Sequence, residues 1–239
     1  MRKFFKKIKK KFQKKNELLL SSREIEWAHY YHDSIRGIEF IENLNLNIGR
    51  WAGNYTFFYL LNRILNDYQP KSIIEFGLGE SSKFVSKYIE HKLLDTQHII
   101  VEQSKEWQES FLKRFDLSKN TSIDICELKQ IEVNGFKVNS YSTVEKYVNQ
   151  KFDLYIVDGP FGSVKYSRYD IVHVLKNIQL GDEFIIIMDD YDRMGEKETT
   201  KDLISMFDEK KIPTYVSVYE GKKSVAIIAT EKYRYTNSL

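Results

Sequence analysis

Five short apolar segments alternate with stretches of helical spacing, and two more follow with only a tight turn between them. The five are Ser72–Phe76, His98–Glu102, Ser122–Leu128, Phe152–Asp158 and Phe184–Asp189. Helices are expected over Ser82–His91, Glu106–Arg114, Asp170–Ile178 and Thr199–Lys210, with a short one over Thr143–Asn149. A strand that returns to the same sheet through a helix must run parallel to its predecessor. The alternation therefore predicts an α/β fold, a mostly parallel doubly wound sheet with helices on both faces. Thr214–Tyr219 and Lys223–Thr230 flank Glu220-Gly221-Lys222, too short a link for a crossover, so this C-terminal pair must be an antiparallel β-hairpin. Asn134-Gly135 between Ile131-Glu132-Val133 and Phe136-Lys137-Val138 marks a second hairpin, inserted after the third strand.

The residues before Ser72 divide in two. Residues 17–48 look helical, with Trp27, Tyr30, Tyr31 and Phe40 among them. Asn54 is placed to cap a further helix that runs to about Asp67 and is closed by Pro70. This gives a basic amphipathic tail over 1–16, a helical preface over 17–70 and the main domain over 71–239. The tail concentrates the chain's charge. Residues 1–15 hold nine Lys or Arg and no acid, whereas the rest holds 28 basic and 34 acidic groups. Met1, Phe4, Phe5, Ile8 and Phe12 share one helical face among the lysines, the pattern of a helix lying on an anionic membrane surface. Nucleic acid is not an expected partner, because the domain itself is acidic. No apolar stretch approaches the length of a membrane span, and the charged start lacks the apolar run of a signal peptide. The expected location is the cytoplasm, peripheral on the inner membrane face. Cys126, the single cysteine, reads as a core filler.

In an open α/β sheet the ligand lies beyond the carboxyl ends of the strands. The first strand ends in Glu75-Phe76-Gly77-Leu78-Gly79-Glu80-Ser81-Ser82, where glycines permit a sharp bend and leave room against the main chain. Glu102 ends the second strand, with Gln103 after it, and a carboxylate there can accept both hydroxyls of a ribose. A dinucleotide site shares these features but needs a third glycine, and Ser82 stands in its place. With the Asp at the fourth strand end and the terminal hairpin, this pattern resembles the class I S-adenosylmethionine-dependent methyltransferases, a Rossmann-like family, over roughly residues 50–230. The resemblance implies that Gly77, Gly79 and Ser81 lie against the cofactor, that Glu102 and Gln103 hold its adenosine, that Glu75 orders the loop and the cofactor's amino end, and that Asp158 also contacts the cofactor. It also implies an adenine-binding acid after the third strand, for which Glu127 and Tyr141 are candidates.

Asp158 and the adjacent Asp189-Asp190 end the fourth and fifth strands. Three acids meeting at one sheet edge make a hard-oxygen set suited to Mg²⁺. The arrangement is similar to the metal-dependent catechol and sugar O-methyltransferases, which implies catalytic and metal-binding roles for Asp158, Asp189 and Asp190. Gly159-Pro160 stands where the sugar-modifying members place a base, leaving His173, Asp192 and Glu196 as candidates. Arg168 and Arg193 are placed to bind an acidic acceptor, and Tyr166 and Tyr191 to stack on a sugar face. Trp51-Ala52-Gly53-Asn54-Tyr55 is expected to close over the cofactor. The implied activity is O-methylation of a sugar or glycan intermediate at the membrane. The rival readings are a nicotinamide-dependent oxidoreductase and a non-catalytic module of the same fold.

Overall fold

In a computed structural model, the described residues are 2–239 for the backbone and 15–239 for the side chains. The apolar face of the basic tail therefore lies outside the described side chains. The chain begins with α1 (Arg2–Ser34), α2 (Glu39–Glu42) and α3 (Tyr55–Tyr68). It continues with β1 (Ser72–Phe76), α4 (Glu80–His91), β2 (Gln97–Glu102), α5 (Lys105–Leu112) and β3 (Thr121–Ile125). The inserted hairpin is β4 (Leu128–Val133) and β5 (Phe136–Tyr141), followed by β6 (Leu154–Val157), α6 (Asp170–Val174), β7 (Ile185–Met188) and α7 (Met194–Glu209). The last pair is β8 (Tyr215–Tyr219) and β9 (Val225–Ala229).

Seven strands form one sheet in the order β3-β2-β1-β6-β7-β9-β8. The first five are parallel, and β9 runs antiparallel to both β7 and β8. The order reverses between β1 and β6, so their carboxyl ends flank the switch point at which such sheets bind ligands. Strands β6, β7 and β9 are buried at every residue, as expected of strands covered on both faces. One face packs Ile73, Leu154, Ile156, Ile185 and Ile227 beneath α1, α3 and α4. The other packs Ile74, Phe76, Val157, Ile186 and Ile228 against α6, α7 and β5.

Several boundaries differ from the sequence reading. The helix expected over 17–48 stops at Ser34, because Gly37 turns with φ +79° and only α2 follows before an irregular stretch. The third strand ends at Ile125, and Leu128 already belongs to the hairpin. Helix α7 starts at Met194 and not at Thr199, so most of the polar segment after the fifth strand is helical. Asn54 caps α3 as expected, its side chain accepting the Phe57 N–H at 3.4 Å.

Candidate active site

The bend after β1 is open at the point where a ligand would lie. Gly77 extends the sheet by donating its N–H to Val101 O at 2.9 Å, then turns with φ +100°, a conformation that strains any residue with a side chain. A Cβ added at Gly79 would meet no atom within 4 Å, so the main chain there is bare. Glu102 faces the bend, and its Oε2 accepts the Leu78 N–H at 2.9 Å. Its Oε1 accepts the Ser104 N–H at 2.8 Å. Each oxygen keeps a second lone pair for a ribose hydroxyl, although the residue is only 2 % exposed. Gln103 Oε1 next to it is buried without a hydrogen-bond partner. A bare bend, a carboxylate aimed at it and an unpartnered amide oxygen fit an adenosyl group.

Glu75 and Ser81 are joined to each other at the base of the bend. Glu75 is fully buried, with Oε1 accepting the Ser81 hydroxyl at 2.5 Å and Oε2 lying 3.0 Å from His98 Nε2. Both oxygens and the Ser81 hydroxyl are therefore spent on fastening the start of α4 to β1 and β2. They order the loop, as expected of Glu75. His98 has no motif around it, so no signal in the sequence marks it as Glu75's partner. Tyr141 is also a core residue, with its ring stacked 6.0 Å from Phe76. A Cβ on Gly159 would come within 2.6 Å of its hydroxyl, so the phenol fills the space between the ends of β1 and β6. Glu127 is exposed at the root of the hairpin, its carbonyl accepting the Ser142 N–H.

Asp158, Asp189 and Asp190 converge as expected, each with a carboxylate oxygen within 4.8 Å of the others'. Their neighbours were not foreseen. Arg168, read from sequence as an acceptor ligand, is 3 % exposed and lies among the strand ends. Its NH1 donates to Val157 O at 3.2 Å and Asp189 O at 2.8 Å, and its NH2 to Asp158 Oδ1 at 3.1 Å and Asp190 Oδ2 at 2.7 Å. Lys223, from the terminal hairpin, places Nζ 3.2 Å from Asp190 Oδ1 and 3.8 Å from Asp189 Oδ2. Arg193 reaches Asp190 Oδ2 at 2.9 Å and is half exposed. Burial acts to raise the Asp190 carboxyl, but Arg168, Lys223 and Arg193 together outweigh it and hold it below the usual range. Burial and then the Asp189 charge push Asp158 well up, and burial and then Asp190 raise Asp189. Asp189 is fully buried and neither of its oxygens has a hydrogen-bond partner.

The trio was expected to hold Mg²⁺, and its oxygens are unequally committed: both of Asp189 and one of Asp158 have no hydrogen-bond partner. The ion demands near-octahedral oxygen coordination at about 2.0–2.1 Å. Both oxygens of Asp190 and one of Asp158 already face cationic side chains. Asp158 keeps one oxygen uncommitted and a side chain 24 % exposed, so it is the member of the trio that opens to the cleft.

The candidate bases fare differently. His173 stacks edge-on with Tyr169, and burial lowers its proton affinity. Asp192 accepts the Ser224 N–H at 3.3 Å. Glu196 is fully buried, with Oε1 3.6 Å from Arg168 Nε. Tyr166 packs 5.9 Å from Phe136, and Tyr191 is part of the core margin. Around the strand ends the segments after β6 and β7 and the one before α3 expose Phe161, Val164, Met194 and Trp51.

No family model matches the chain, and no curated protein matches it in sequence. Solved structures do resemble it. The O-methyltransferase TomG from Streptomyces achromogenes, involved in tomaymycin synthesis and solved with S-adenosylmethionine, is 12 % identical with a TM-score of 0.55, over 90 % of this chain and 98 % of that one. The O-methyltransferase from Bacillus cereus, in complex with S-adenosylhomocysteine, is 11 % identical with a TM-score of 0.54, over 90 % and 100 %. Cofactor-bound Rv0187 from MTB is 11 % identical with a TM-score of 0.53, over 88 % and 90 %. The fold is the Rossmann-like fold of class I methyltransferases.

Proposed function

We propose, from this fold and the open bend over its central strands, that the chain is an S-adenosylmethionine-dependent methyltransferase acting on a hydroxyl group. The observation that carries the reading is the bare main chain at Gly79 beside the Glu102 carboxylate. Glu102 and Gln103 would hold the adenosine, and the Gly77–Gly79 main chain would lie against the rest of the cofactor. When bound, the cofactor supplies a methyl group on a charged sulfonium. The chain's own part is to position the acceptor and exclude water around it. Asp158, the trio member that reaches the cleft, would take the hydroxyl proton. Arg168 and Lys223 would keep the trio's remaining charge balanced.

The acceptor we propose is a sugar or glycan intermediate presented at a membrane surface. Trp51 and Phe161 are exposed at the strand-end rim, where an aromatic face can stack on a sugar ring. The nine basic residues of the tail are suited to anionic headgroups. No described helix is long and apolar enough to cross a membrane.

Gly79→Arg tests the cofactor assignment. The added side chain starts in open space and Gly79 has an extended φ of −164°, so folding should be unaffected. Calorimetry with S-adenosylhomocysteine should show binding to the wild type and its loss in the variant at unchanged Tm. A wild type indifferent to the cofactor but stabilised by NAD would move the assignment to oxidoreductases. Transfer of labelled methyl groups to glycan extracts then tests the acceptor.

A further inference from the structure

We propose that Lys223 is the built-in cation of the Asp158–Asp189–Asp190 trio, standing where a metal-dependent methyltransferase would hold its ion, so that the site works without a divalent metal. The inference rests on the strand ends being the acceptor site, and it concerns how their charge is compensated.

Three cations reach the trio, and the two more buried ones come from different elements. Arg168 bridges Asp158 and Asp190 and is anchored by the carbonyls of Val157 and Asp189, so it belongs to the ends of β6 and β7. Lys223 approaches from the β8–β9 turn and is the cation nearest to Asp189 Oδ2. Without the ammonium, the fully buried Asp189 would have neither a hydrogen bond nor a cation within 4 Å of its oxygens. An uncompensated buried carboxylate is among the costliest groups a fold can hold. A divalent ion within bonding distance of the same oxygens would lie close to that ammonium, and the two like charges would repel.

The position of Lys223 is built and not incidental. The carbonyl of Lys223 accepts the Asn54 side-chain amide at 3.1 Å, and the Lys222 N–H donates to Glu24 Oε2 at 2.9 Å. The turn is pressed so closely onto α1 and α3 that a Cβ at Gly221 would lie 2.1 Å from Thr56 Oγ1 and 2.8 Å from Glu24 Oε2. The ammonium also donates to Ala52 O at 3.3 Å, tying the segment that carries Trp51 to the trio. Its side chain is only 19 % exposed. Lys223 is thus a positioning residue, acting through the carboxylates and the segment before α3.

The test is Mn²⁺ binding followed by electron paramagnetic resonance, with thermal shift, on the wild type, Lys223→Met and Lys223→Arg. The wild type should leave Mn²⁺ free and its Tm unmoved by Mg²⁺ or Mn²⁺. Lys223→Met should melt lower, bind one Mn²⁺ at least about tenfold more tightly than the wild type, and regain part of its Tm with the ion. Lys223→Arg should restore indifference to metal, which a purely structural role for the alkyl chain would not do. Stoichiometric Mn²⁺ uptake by the wild type, lost in Asp189→Asn, would overturn the proposal. So would a folded Lys223→Met that gains no affinity for the ion. If Lys223→Met does not fold, the wild-type titration decides alone, uptake refuting the proposal and its absence supporting it. Binding of S-adenosylhomocysteine is measured separately, so a failure of the cofactor assignment is distinguishable from a failure here.

Discussion

At the scale of single residues, the site is organised by buried charges whose partners come from distant parts of the chain. Asp170 begins α6 at 1 % exposure, its Oδ1 accepting the Ser140 hydroxyl at 2.6 Å and the Tyr141 N–H at 3.2 Å. Oδ2 has no partner, and burial pushes the carboxyl up to about 7. A carboxyl whose folded value lies above its unfolded value of about 3.9 holds its proton more tightly when folded. Its contribution to stability is complete below about pH 4 and is lost as pH rises to about 7, an effect of at most about 4 kcal/mol. Asp170→Asn removes the titration and keeps an oxygen for Ser140 and Tyr141. Urea denaturation at pH 4.5, 6 and 8 should show the wild type losing stability relative to the variant as pH rises, and parallel profiles would refute this. The acids at the strand ends were legible because position in an α/β sheet fixes where such residues point. Arg168 was not, because nothing around it in sequence distinguishes a surface arginine from one gripped by two aspartates. Glu75 and Ser81 were legible as residues of the loop, but not as a pair turned inward onto His98.

At the scale of elements, most strand limits were read to within two residues and the helices less well. Strands of a doubly covered sheet are short apolar runs with abrupt polar ends, so β1 carries its limits in its composition. A helix start depends on what its first turn meets. Met194 begins α7 because Ser167 accepts the turn into the fold, with the Ser167 N–H on Gly195 O at 3.1 Å and the Thr199 hydroxyl on Ser167 O at 2.6 Å. The preface shows the same limit. Glu24, in the middle of α1, accepts the Tyr55 N–H and the Asn54 amide, each at 2.7 Å, and the Lys222 N–H at 2.9 Å. One carboxylate thereby clasps α1, the start of α3 and the terminal hairpin. Glu24→Ala leaves three donors to find water, which should cost about 1–3 kcal/mol. Hydrogen exchange should quicken first at residues 220–224 and at the start of α3. Protection unchanged there would show that the helices hold the hairpin without the clasp.

At the scale of the whole molecule, the basic tail and the contacts of Glu24 belong to one helix, α1. Glu24 lies at the start of α3 and the hairpin turn, next to the strand ends, whereas Ser34 lies lower, against Asn62. Going back from Glu24, the helix passes through Leu18 and Leu19, both exposed. Charge divides along the chain, since residues 1–15 carry nine basic groups and the remainder has six more acids than bases. A surface of anionic lipid would attract the tail and repel the body. Each basic residue near such a surface contributes about 1 kcal/mol, which makes the attraction steeply dependent on salt. The full chain should therefore sediment with phosphatidylserine vesicles and be released by about 0.5 M salt, where the screening length falls below about 5 Å. Phosphatidylcholine vesicles should leave it in solution. A chain lacking residues 1–15 should lose the vesicles and keep its affinity for S-adenosylhomocysteine. Sedimentation of that shortened chain with the same lipid would place the attraction in the apolar rim, and equal binding to both lipids would remove charge from the account.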